Sequence, residues 1–183
     1  MLIFEDLGST PRHRLFTWLG VEWQATPRAW LCVPWFLTIG GLVAWAADAH
    51  APPGANVIDG LGFGSLLFLM NVLHSAGHTI SARLAGSAPG TVLVTATFHV
   101  NAHRCVPGVC SPLVHIERSL GGPIANLLTG LAALAANAAV GSRGLDFFAK
   151  ASLIVGVWTA LPIPGFDGWV IWGELFGFRR RRV

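Results

Sequence analysis

From Ala29 to Ala47 the chain carries no charged residue, a run of the length that a tilted helix needs to cross a hydrocarbon core. Three more apolar runs follow, at roughly 60–82, from about Leu120 to Val140, and from about Leu145 to Pro162 with Lys150 near its start. Between the first two, Asp48 to Asp59 reads as a loop because it holds Pro52, Pro53 and Gly54. After the second run, Gly86, Pro89 and Gly90 break the helix, and residues 91–100 are rich in β-branched side chains. That stretch predicts a β segment, and the run from it to Pro112 a loop. Gly141-Ser142-Arg143-Gly144 is a turn; Pro162 and Pro164 interrupt the fourth run, and Phe166 to Phe178 resumes as a short helix. Residues 1–28 are mixed. Phe16, Trp18, Leu19, Val21 and Trp23 lie there among Arg12, His13, Arg14 and Arg28, as in an interfacial segment. No internal repeat is visible. The pattern predicts a mainly α membrane protein of about four transmembrane helices with a small membrane-associated β segment.

Composition sharpens this picture. Apolar residues make up 53% of the 183 residues and charged ones 11%, against roughly a quarter charged in soluble domains. The net charge of +3 owes much to Arg179, Arg180, Arg181 and Arg182, a basic tail suited to an anionic membrane surface. No basic stripe or aromatic interleaving occurs elsewhere, so nucleic acid is set aside as a partner. With four spans and the N-terminus inside, ten of the 12 lysines and arginines fall on the cytoplasmic side, leaving Arg143 and Lys150 outside. The positive-inside rule then places both termini in the cytoplasm, in a multi-pass protein of a cell inner membrane. Glu5 and Asp6 near the start argue against a cleaved signal peptide. Cys32 lies in an apolar run; Cys105 and Cys110 could pair only in an oxidising compartment, which this orientation denies them.

The candidate chemistry lies in the second run. His74 and His78 stand four apart, so on a helix they share one face about 6 Å apart, where one metal ion can take both imidazoles. Zinc hydrolases with this spacing place a glutamate after the first histidine as general base. Here that position holds Ser75. Two histidines bonded to carbonyls or hydroxyls of neighbouring helices are the plain alternative. A catalytic zinc takes three protein ligands, and Asp167, directly after the Pro162–Pro164 break, is the best third. Irregular backbone at membrane depth is tolerated only where it is buried or lines a wet cavity; aspartate capping the last helix is the competing use. Gly121-Gly122-Pro123-Ile124-Ala125-Asn126 opens the third span, its small residues suited to close helix approach and Asn126 to reaching a neighbouring helix or a bound carbonyl. His99, His103, Cys105, Cys110 and His115 form a second cluster whose irregular spacing fits no standard zinc motif; a polar loop at the headgroups accounts for it equally.

His-x-x-x-His in a membrane helix, then Gly-Pro-x-x-Asn, then Leu-Pro-x-Pro-x-x-Asp-Gly resembles the site-2 protease family of intramembrane zinc metalloproteases. The resemblance covers about residues 60–175. It implies a site-2-protease-like core at 60–178, preceded by an interfacial segment (1–28) and an additional transmembrane helix (29–47), and followed by the basic tail (179–183). It further implies zinc held by His74, His78 and Asp167, and it aligns Asn126 with the family's asparagine near the active site. Ser75 departs from the family's glutamate, and Trp169 from its second glycine. Serine has no usable basicity near neutral pH, and Glu117 and Glu174, the carboxylates available as a substitute base, are placed by no motif. The expected function is therefore a proteolytically impaired homologue, a scaffold or binding subunit whose partners are membrane lipids and other membrane proteins. The alternatives are an active protease cutting transmembrane substrates, and a subunit in which a membrane histidine carries haem or a chlorophyll-type pigment.

Overall fold

The computed structural model describes residues 10–86, 90–102 and 111–177. The described residues begin with two strands, β1 (His13–Trp18) and β2 (Val21–Ala25), within the stretch that the sequence marks only as a mixed interfacial segment. Their turn, Leu19–Gly20, has positive φ at both residues, 50° and 76°, as the tight hairpin turn demands. Glycine adopts that conformation freely, whereas a leucine there costs about 1 kcal/mol. A short 3-10 turn (Ala29–Leu31) leads into α1 (Cys32–Ala47), and α2 (Pro53–Leu84) runs back antiparallel to it. The second helix begins well before the expected start near residue 60. Pro53 sits at its first turn, where a fixed φ and a missing N–H are assets.

The β segment is a pair, β3 (Thr91–Val94) and β4 (His99–Ala102). Among the described residues the four strands form one sheet in the order β1-β2-β3-β4, with β2 and β3 parallel and the outer pairs antiparallel. Val72 of α2 packs against Val21, Trp23 and Val92, so the sheet lies against the second half of that helix.

The third helix, α3 (Pro112–Val140), also starts earlier than expected. Ser111 Oγ accepts from the Val114 N–H at 3.3 Å, and Pro112 occupies the first helical position, a start signal that outweighs the reading of Pro112 as loop. Gly141 ends the helix at φ 66°, and α4 (Arg143–Thr159) follows. Arg143 is bonded to Asp59 of α2 at 3.0 Å, and Phe63 stacks on Phe147 with ring centres 4.3 Å apart. The last helix, α5 (Asp167–Leu175), folds back after the proline break. The Trp172 indole N–H donates to the Ala160 carbonyl at 2.8 Å, satisfying one acceptor that the end of α4 exposes.

Three stretches, Ala29–Ala47, Pro53–Leu84 and Pro112–Val140, are long and apolar enough to cross a membrane. The expected fourth span is the 17-residue α4, about 26 Å long at the α-helical rise, which is the lower limit for crossing.

Candidate metal centre

On α2, His74 and His78 share the face turned toward α3 and α5. His74 Nε2 lies 3.2 Å from Asp167 Oδ2, His78 Nε2 lies 3.2 Å from Asp167 Oδ1, and the two Nε2 atoms are 3.1 Å apart. The ligand-type atoms of the three side chains all fall within 4.8 Å of one another. Neither Glu117 nor Glu174 joins that group. Asp167 is the first residue of α5, whose cap is Phe166 with no side-chain cap bond. The carboxylate is thus directed to the histidines in place of capping.

The backbone fixes which atoms face the centre. His78 Nδ1–H donates to the Arg118 carbonyl of α3 at 2.7 Å, so its Nε2 presents a lone pair. Opposite it stand the Asp167 carboxylate, an acceptor, and His74 Nε2, which becomes a third acceptor once the His74 proton sits on Nδ1; three acceptors so placed repel unless a cation lies among them. A proton serves two such atoms at once, whereas a metal ion serves all three. Zinc bonds of about 2.0–2.1 Å in tetrahedral array separate ligand atoms by about 3.3–3.4 Å, within a few tenths of the spacing here. Three protein ligands also leave one position open, the arrangement of catalytic rather than closed structural zinc sites.

Asn126 supplies a second test of fit. It is fully buried, with its Nδ2 3.1 Å from His74 Nδ1 and its Oδ1 without a partner. If His74 is to ligate through Nε2, its Nδ1 must carry the proton and needs an acceptor. The amide turned over in the same space provides one, because Oδ1 then faces the ring. The three residues therefore suit a metal ion. Asn126→Leu, which keeps the volume and loses the acceptor, is expected to weaken zinc binding roughly 10–100-fold. Competition titration against a chromogenic chelator measures this, and unchanged affinity would reject the role.

Ser75 follows His74 on the same helix, 1% exposed, its Oγ without a hydrogen-bond partner. Sequence reasoning missed two contributors from α3: the Arg118 carbonyl and Gly122, whose Cα surface lies against both imidazole tips. Gly-Gly-Pro announced close packing without indicating what packs there.

Of the second cluster, His103, Cys105 and Cys110 lie outside the described residues, and His115 sits in the first turn of α3. His99 belongs to β4, its ring edge-on to Trp23 and Phe68 and bonded to the Asn71 carbonyl one turn before His74. Burial first, and the charge of nearby His74 second, hold its pKa down at about 4 against the ordinary 6.5, although the Asn71 bond pulls the other way. Between those two pH values the unfolded chain holds a proton on His99 that the folded chain does not, so stability falls as pH drops through that window. His99→Phe is expected to lose less thermal stability than the wild type between pH 7 and pH 5, about 2 pH units spanning much of the window. Equal losses in detergent melts would reject this account.

No protein-family model matches the chain, and a search of curated proteins finds no match. Among solved structures the chain is similar to the Site-2 Protease from Methanocaldococcus jannaschii, with a TM-score of 0.62 and 19% sequence identity. The alignment covers 92% of this chain and 73% of that one, so it extends beyond residues 60–178. At that identity the likeness speaks for the fold: this is an integral membrane protein with a site-2-protease-like fold, carrying two histidines and an aspartate close enough to bind a metal.

Proposed function

We propose that this chain is a zinc-binding membrane homologue of the site-2 metalloproteases, impaired in hydrolysis by Ser75, that works by holding other membrane proteins. The observation that carries the reading is the meeting of His74, His78 and Asp167 at 3.1–3.2 Å beside a serine. Zinc held there would lower the pKa of a bound water and polarise a carbonyl. The chain's own residues supply the rest: the Arg118 carbonyl and Asn126 orient the two imidazoles, and the sheet shields one side of α2. What the described residues do not supply is a carboxylate beside the ligands to take the water's proton. The proposed setting is a cell inner membrane with both termini in the cytoplasm, the side on which most arginines then fall.

The intact ligand set favours a second reading, an active protease on transmembrane substrates. Metal analysis of the purified protein, paired with a cleavage assay on transmembrane peptides, tests both. About one zinc per chain without cleavage is expected; one zinc with cleavage that His74→Ala abolishes would establish the protease. Absence of zinc would sink both readings.

A further inference from the structure

The face of α3 turned to the histidines has a regular composition. Arg118, Gly122 and Asn126 recur every four residues, one above the other on a helix. The first receives His78 Nδ1–H on its carbonyl and the third holds His74 Nδ1. Between them, a Cβ placed on Gly122 would collide with both Nε2 atoms, and would stand 2.5 Å from His74 Cε1. Those Nε2 atoms are the ones that face Asp167. A side chain at 122 would therefore take space at the shared tip of the two imidazoles, where an ion bound by both must lie.

We propose that Gly122 is a positioning residue of the metal centre, its missing side chain giving His74, His78 and the ion the room to meet. This rests on the metal-binding reading given above. The neighbouring glycines have a different task. A Cβ on Gly121 would strike the Gly77 backbone as well as Ser81 Oγ, and one on Gly77 would strike the Gly121 carbonyl. Backbone cannot yield without separating α2 from α3, whereas imidazole tips can swing aside by rotation about χ1 and χ2. The same glycine-to-alanine change thus breaks the helix contact at 77 or 121 and the ligand geometry at 122.

The experiment compares wild type, Gly122→Ala and Gly121→Ala, purified in one detergent. Each is titrated with Co2+ by its visible absorption, melted without metal, and examined by NMR of the histidine ring nitrogens. Gly122→Ala is expected to melt near the wild type, to show displaced ring signals for His74 and His78 without metal, and to lose cobalt affinity by about 100-fold or more, at least the loss that removing an orienting partner causes. Gly121→Ala is expected to lose thermal stability instead. Cobalt binding by Gly122→Ala within about threefold of wild type, a difference of less than 1 kcal/mol, would overturn the proposal and leave the metal-binding reading standing. Melting of Gly122→Ala as low as that of Gly121→Ala would assign the residue to helix packing and overturn it too. A wild type that takes up no cobalt would overturn this proposal and the metal-binding reading together.

Discussion

Ser75→Glu is expected to raise zinc-dependent hydrolysis of transmembrane peptides by about two to four orders of magnitude, the usual worth of a positioned general base. The site already has its imidazoles oriented from behind by the Arg118 carbonyl and Asn126, and its carboxylate ligand at 3.2 Å from each. Among the described residues no further carboxylate joins these three. Ser75 is the residue after His74, buried, its hydroxyl without a partner, so a longer acidic side chain replaces a polar atom that contributes little. The control is Ser75→Gln, of the same shape without basicity, which should stay at the wild-type rate. Both proteins must carry zinc for the comparison to hold. Should zinc-loaded Ser75→Glu cleave no faster than zinc-loaded Ser75→Gln, the missing-base explanation fails.

Asp167→Ala is expected to reduce zinc affinity by more than the roughly 10–100-fold that an orienting partner is worth, because it removes one of three ligands outright. His74 and His78 would then hold the ion alone, one short of the ligands of catalytic zinc sites. The loss should exceed that of Asn126→Leu in the same titration, which gives an internal scale. Asp167→Asn is the sharper variant: it keeps the size and the helix start and loses the charge. Wild-type zinc affinity in Asp167→Ala would show that the carboxylate merely bonds the histidines.

The helices were largely legible in the amino-acid pattern, though not their ends. The apolar runs led directly to α1, α2, α3 and α4, but Pro53 and Ser111-Pro112 start their helices earlier than a reading of proline as loop allows. The hairpin was harder. Its turn carries Leu19-Gly20 instead of an asparagine-glycine or aspartate-glycine signal, and its short strands mix charged with aromatic residues. Its place in the sheet was out of reach, since β2 pairs in parallel with β3 across the whole of α1 and α2.

What the sequence determined by itself is which segments leave water and which side chains can ligate: His74, His78 and Asp167 were identifiable before any fold was known, and so was the serine beside them. The free energy of moving a run into lipid is a sum over its own residues, so it can be read locally. Tertiary structure alone decided that the aspartate reaches the histidines, that the Arg118 carbonyl sets the His78 tautomer, and that Gly122 leaves space between the rings. Those depend on how closely α2, α3 and α5 approach, and close approach is a property of facing surfaces that no single segment encodes.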